Sequence, residues 1–176
     1  MQETITLGGG CFWCLDTAFR NLRGVLSVNV GYAGGETQDP TYKDVCSGNT
    51  GHAEVVQVIF VSDQISLHNI LQVFFALHDP TTLNRQGADV GTQYRSVIFY
   101  QTEDQQAQAE QFIDELNASE LWADPIVTEL APLANYSPAE AYHQDYFNQN
   151  PNQQYCQVVI SPKLKKLREK FHALLS

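Results

Sequence analysis

The stretch ETITLGGGCFWCLDTAFRNL, residues 3–22, changes its period midway. Glu3–Leu7 alternates as a half-buried strand does, whereas Phe12, Leu15, Phe19 and Leu22 recur at helical spacing. Gly8, Gly9 and Gly10 join the two, so a strand runs through a glycine turn into a helix start. Outward from there, Gly24 ends the helix, and Val28, Val30 and Tyr32 alternate along a second strand. Residues 31–50 have turn residues and little periodicity. Glu54–Val61 is a strongly β-prone third strand, and Ser66 caps a helix with Leu67, Ile70, Leu71 and Phe74 on one stripe, ending at Asp79-Pro80. A long connection leads to a fourth strand, Tyr94–Tyr100. The order β-α-β-β-α-β suits an α+β fold with a two-layer, split βαβ (ferredoxin-like) core, both helices covering one sheet face.

The remaining sequence reads as carboxy-terminal additions to that core. Thr102 with Gln105 resembles a capping box opening a helix with Ala109, Phe112, Ile113 and Leu116 on one face. Ile126–Leu130 adds a short strand. Ser137-Pro138-x-Glu140 combines an N-cap, a first-turn proline and a third-position glutamate, which predicts a helix ending before Asn150-Pro151. Tyr155–Ile160 reads as a strand, and Ser161-Pro162 starts a last helix with Leu164, Leu167, Phe171 and Leu174 inward. Without repeats or a Gly/Ser/Pro-rich linker, residues 1–176 are expected to form one domain.

The composition, 43% apolar over 176 residues, supports a sizeable core. A net charge of -10 gives no electrostatic reason to bind nucleic acid or an anionic membrane, and no apolar run reaches the roughly 18 residues of a membrane span. Met1-Gln2-Glu3-Thr4-Ile5 has neither a basic nor a long apolar segment, so no export signal is expected and a reducing cytoplasm is the default location. Five of the ten basic residues lie between Lys163 and Lys170, the pattern of a solvated helix face with a docking patch as the alternative.

Four cysteines are too few for a disulfide scaffold, and Cys11-Phe12-Trp13-Cys14 is a C-x-x-C pair suited to redox chemistry or metal binding. Unpaired amides at the helix start, and those of Gly8–Gly10, are expected to favour a Cys11 thiolate by lowering its pKa. The bland alternative makes Cys11 and Cys14 small buried residues and Phe12 and Trp13 core. Glu54 shares side-chain parity with Val56, Val58 and Phe60, so its carboxyl should lie against an apolar face, have a raised pKa and serve as an acid. Two other readings compete. Cys11, Cys14, Cys46 and His52 are a chemically reasonable zinc set, and the C-x-x-C pair alone fits a general thiol-disulfide oxidoreductase. No G-x-G-x-x-G stands in a β-α setting, so no bound nicotinamide or flavin is expected.

Several separated motifs together resemble the A-type peptide methionine-S-sulfoxide reductases. They are GCFW (10–13), GYAGG (31–35), PTYKDVCSGNTGHAE (40–54), HDPT (78–81), GTQYRS (91–96), EAYHQDY (140–146) and NPNQQYC (150–156). The resemblance implies a nucleophilic Cys11, a sulfoxide-oxygen site of Tyr42, Glu54 and Tyr94, a substrate-positioning Asp89, and Phe12 and Trp13 against the substrate methyl. His52, His78, Glu140, His143 and Asp145 are read as residues that order loops and the pocket wall. After oxidation of Cys11, the resemblance implies Cys156 as resolving thiol, with Cys14 as rival and Cys46 as a candidate relay. It further implies oxidised proteins or peptides as substrates, no tightly bound cofactor or metal, and thioredoxin or another dithiol as reductant. Cys14 and Asp16 depart from the family pattern.

Overall fold

The computed structural model describes residues 2–86, 89–119, 124–150, 152–154 and 156–175, without the side chains of residues 156 and 159. Its strands are β1 (Gln2–Gly8), β2 (Val25–Ala33), β3 (Ala53–Val61), β4 (Arg85–Gln86), β5 (Asp89–Val90), β6 (Val97–Tyr100), β7 (Glu129–Pro132) and β8 (Ser137–Pro138). Its α-helices are α1 (Phe12–Arg20), α2 (Tyr42–Cys46), α3 (Leu67–Leu77), α4 (Glu103–Ala118), α5 (Tyr146–Gln149) and α6 (Ser161–Lys170). Six strands form one sheet in the order β7-β6-β1-β3-β2-β8, antiparallel except for the parallel β6–β7 pair, and β4 and β5 form a small separate hairpin.

Strand parity sets the two faces. Val30, Val56, Leu7 and Ile98 stand side by side across β2, β3, β1 and β6, and Val28, Val58 and Ile5 form the next row. These rows pack against Phe12, Leu15, Phe19, Ile70, Leu71 and Phe74 of α1 and α3 in the main core. The opposite face carries a smaller cluster, Ala33, Ala53, Val55, Val97 and Phe99, under Ala131, Leu133 and Tyr136. The Ser66 side chain caps α3 as expected, accepting the Asn69 N–H. Thr102 caps α4, but the Gln105 carboxamide accepts the Gln101 N–H and donates to the Thr4 carbonyl, tying α4 to β1 rather than closing the box.

Four local expectations are corrected. Ser137–Glu140 does not start a helix. Ser137 and Pro138 pair with Tyr32 and Gly31, and the Ala139 N–H donates to the Val30 carbonyl, so the free edge of β2 takes these residues as β8. The Glu140 carboxylate, spent on Tyr32 and Tyr42, is then not available as a cap. Tyr155 lies outside the described residues, and Cys156–Ile160 winds as a π-helix that runs directly into α6 instead of extending. Tyr94 belongs to a single-turn 3-10 helix, with the strand starting at Val97. The short strand after α4 is Glu129–Pro132, starting three residues and ending two residues later than the expected Ile126–Leu130.

Candidate active site

β1 stops at Gly8, where the main core rows give way to polar groups. A Cβ on Gly9 would stand 2.9 Å from the His78 ring, and Gly10 has φ +86, so this approach to Cys11 accepts glycine for both space and conformation. Cys11 is the N-cap of α1 and only 7% exposed. Glu54 projects from the first turn of the β3 ladder, paired with Tyr32 and on the side of Val56, Val58 and Phe60. It is 1% exposed. Its Oε1 accepts the Phe12 N–H at 3.2 Å, and its buried Oε2 has no hydrogen-bond partner among the described residues. Burial raises the carboxyl from its ordinary 4.5 to about 8, against the opposing pull of the Phe12 amide and with added repulsion from Asp89 and Cys14. A protonated glutamic acid with a free oxygen is therefore the resting form near neutrality.

The expected low-pKa Cys11 thiolate is corrected. Burial pushes the Cys11 thiol well above its ordinary range, the hydrogen bond with the Cys14 thiol and the nearby Glu54 add to that, and only the Trp13 amide pulls the other way. Of the helix-start amides only that of Trp13 reaches the thiol: the Phe12 N–H is used on Glu54 and the Cys14 N–H on the Cys11 carbonyl.

Tyr42 opens α2, whose start is fixed by reciprocal hydrogen bonds between Thr41 and Asp44. The Tyr42 N–H donates to Glu140 Oε2 at 3.0 Å, its hydroxyl meets the Cys46 thiol, and burial followed by Glu54 lifts its pKa above the ordinary tyrosine range. Tyr94 follows from the other side, its carbonyl accepting the Gly10 N–H at 3.2 Å and its phenol also raised by burial, Glu54 and Asp89. Both phenols hence remain donors at working pH. Cys11, Glu54, Tyr42 and Tyr94 influence one another electrostatically, and Asp89 of β5 acts on Glu54 and Tyr94.

Aromatic rings form the adjoining wall. Phe12 is fully buried among Tyr32, Tyr42 and His143, with centroids at 5.6, 6.1 and 5.2 Å. Trp13 is partly exposed and stacks on Tyr146 at 3.9 Å and 8°. Its indole N–H donates to His143 Nδ1 at 3.0 Å, which puts the neutral imidazole's proton on Nε2. Glu140 accepts the Tyr32 hydroxyl at 2.9 Å. Tyr32 and Tyr146 were not singled out as site residues. The position of Tyr32 opposite Glu54 follows from parity once the β2–β3 register is known, whereas nothing local in EAYHQDY points Tyr146 at Trp13.

His52 and His78 hold neighbouring backbone and hydroxyl groups. His52 accepts the Gly35 N–H at Nδ1 and donates from Nε2 to the Thr37 carbonyl. His78 lies between the Phe74 carbonyl and the Ser96 hydroxyl, with burial lowering its pKa to about 4. His52 is thus turned away from a zinc set, and among the described residues no group of three or more His, Cys, Asp or Glu side chains could hold a metal. Cys46 is exposed at the last residue of α2, not in a loop. The Cys156 side chain lies outside the described residues.

Residues 3–175 match the family model described as peptide methionine sulfoxide reductase. The chain belongs to this family. A relative named peptide methionine sulfoxide reductase MsrA from Natronomonas pharaonis is 53% identical over 171 residues, covering 97% of this chain and 96% of the relative. Among solved structures, reduced Mxr1 from Saccharomyces cerevisiae aligns with a TM-score of 0.82 at 37% identity, covering 88% of this chain and 89% of Mxr1. A second Mxr1 structure, a complex with Trx2, aligns with a TM-score of 0.58 at 26% identity, covering 82% and 84%. As a peptide methionine sulfoxide reductase, the protein is an oxidoreductase whose thiol-dependent reaction removes a sulfoxide oxygen. The mixed helix-and-sheet architecture also matches that of the family.

Proposed function

We propose that the protein reduces the S epimer of methionine sulfoxide, in proteins or free, with Cys11 as nucleophile and Glu54 as proton donor. The observation that carries this reading is the buried Glu54 carboxyl near the buried Cys11, with an Oε2 that has no hydrogen-bond partner among the described residues and a pKa raised by burial to about 8. Glu54 gives its proton to the sulfoxide oxygen while Tyr42 and Tyr94 donate hydrogen bonds to it, and Cys11 Sγ attacks the sulfoxide sulfur. The Cys11 proton returns to the Glu54 carboxylate, so the acid is regenerated. The hydroxyl then passes from the substrate sulfur to Sγ: the S–O bond and the Sγ–S bond made in the attack both break, an Sγ–O bond forms, methionine leaves with its sulfur reduced by two electrons, and Cys11 is left as a sulfenic acid. Trp13, backed by Phe12, receives the substrate methyl, and Asp89 positions the substrate backbone. Because sulfur must face Cys11, oxygen Glu54 and methyl the aromatic wall, only one configuration at sulfur fits.

Cys156 is the proposed resolving thiol: its attack on the Cys11 sulfenic sulfur expels water and forms a disulfide. The hydrogen bond between the Cys11 and Cys14 thiols favours a second reading, in which Cys14 closes the first disulfide. Cys46 is kept as a candidate relay. A thioredoxin-class dithiol then takes up the disulfide, supported by the yeast relative's complex with Trx2, and no tightly bound cofactor takes part. Among the described residues no helix is long and apolar enough to cross a membrane. A single cytoplasmic domain spanning 1–176, without nucleic-acid or membrane partners, accords with the charge and composition. The β6-β1-β3-β2 order of the four core strands supports the ferredoxin-like description.

The test is a single turnover without reductant, using peptides carrying each sulfoxide epimer separately. One equivalent of methionine from the S epimer and none from the R epimer is expected. Equal yields would reject the three-point fit.

A further inference from the structure

Trp13 and Asp16 lie three residues apart in α1, so they are neighbours on one side of the helix. The chain segment that touches Trp13 returns more than a hundred residues later: His143 takes the indole N–H at 3.0 Å and Tyr146 covers the ring face at 3.9 Å. Between these two contacts stands Asp145, in the left-handed region at φ 54, with its N–H donating to Asp16 Oδ2 at 2.8 Å. The other Asp16 oxygen accepts from Arg20 Nε, and Arg20 Nη2 donates to the Val28 carbonyl of β2 at 2.9 Å. Asp16 is fully buried, and both of its oxygens are used, one by Arg20 and one by Asp145. Gln144 supplies a second anchor, gripping the N–H and carbonyl of Val30.

A buried carboxylate is an expensive way to add stability, since a well-packed apolar residue generally does as well, whereas it fixes geometry when both oxygens have defined donors. Here the donors are the backbone of the segment that grips Trp13 and a guanidinium bound to the sheet. We propose that Asp16 is a positioning residue for Trp13: through the Asp145 amide it holds His143 and Tyr146 in the places from which they orient the indole toward the substrate methyl. The functional half rests on the reading of Trp13 as part of the substrate wall. Asp16 itself touches no reacting atom.

The test uses D16A and the near-isosteric D16N, with D16E as the rescue variant, in a W122F background so that Trp13 is the only tryptophan. Loss of the charge-assisted hydrogen bond should raise KM for a sulfoxide peptide about tenfold. The kcat should stay within about threefold, the pattern of lost positioning rather than lost chemistry. Trp13 emission should move to the red and acrylamide quenching rise in D16A and D16N, and D16E should restore both in part. A general loss of stability would not give that split. If D16A does not fold, D16N alone decides. Unchanged Trp13 emission and quenching in a folded variant overturns the proposal. Altered emission with unchanged KM, in a protein where W13F also leaves KM unchanged, upholds the latch and rejects Trp13 as substrate wall.

Discussion

Glu54 and Phe12 meet across 42 residues of sequence, the Phe12 N–H holding Oε1 at 3.2 Å while Oε2 stays buried without a hydrogen-bond partner among the described residues. One oxygen is thereby fixed and the other is left for a substrate. The same contact withdraws the first amide of α1 from Cys11, and burial outweighs its pull on Glu54, so the site keeps an acid and a neutral thiol together rather than a thiolate beside a carboxylate. Burying two anions side by side would cost far more than burying their protonated forms.

Glu54 should therefore set the alkaline limb of the reaction. Methionine release in single turnovers should fall as pH rises through about 8, where the acid ionises. E54Q should lower the rate by roughly 10- to 10,000-fold and remove that limb. A wild-type limb that persists unchanged in E54Q would assign it to another group.

The same shift predicts a stability trend. The folded carboxyl holds its proton up to about 8, whereas the unfolded one releases it near 4.5, so the folded state binds more protons between these values. Stability is fully present below the lower value and decreases as pH climbs to the upper one. Urea unfolding of E54Q across this window should show a flatter profile than wild type, with the variant relatively more stable at the alkaline end. A parallel pair of curves would show that Glu54 is not the linked group.

Cys11→Ser should abolish sulfoxide reduction in a folded protein, because a hydroxyl supplies no sulfur to oxidise. In a C46S background, Cys11 of the substrate-free protein should also react sluggishly with iodoacetamide at neutral pH, since burial and Cys14 hold the thiol protonated. Rapid alkylation at pH 7 would restore the thiolate that the helix start alone suggests.

Parity and periodicity made most of this arrangement legible. Val28, Val30 and Tyr32 alternate, Glu54 continues the Val56 and Val58 face, and Phe12, Leu15 and Phe19 mark the buried side of α1, which together give the sheet, its covering helix and the acid at their junction. The failures share a cause, competition from partners distant in sequence. Ser137-Pro138 has sound helix-start chemistry, yet the open edge of β2 and the two donors that claim Glu140 outweigh it. The amides at the start of α1 are a local feature of the sequence, whereas the carboxyl that arrives from β3 to use one of them is 42 residues away.

Tyr42→Phe and Tyr94→Phe should each slow methionine formation about 100-fold if their hydroxyls donate to the oxygen as charge develops there. Their raised pKa values keep both hydroxyls protonated across the working range, so neither loss should move the limb near 8. A shifted limb in Y94F would instead make that phenol part of the proton path.

The order of disulfide formation tests the second half of the cycle. Cys156→Ser should still release about one equivalent of methionine in a reductant-free turnover, because resolution comes after the S–O bond is broken, but it should lose efficient thioredoxin-supported cycling. Cys14 stands at the third helical position behind the N-cap Cys11, its thiol already hydrogen-bonded to that of Cys11, so it is placed to intercept the sulfenic acid if Cys156 is slow. Rapid-quench peptide mapping separates the routes. With Cys156 resolving first, wild type and C14S both accumulate a Cys11–Cys156 disulfide, and C156S is stalled in turnover. If wild type instead shows Cys11–Cys14 at the earliest times and C156S cycles normally, the C-x-x-C pair is the working redox couple and the carboxy-terminal cysteine is dispensable.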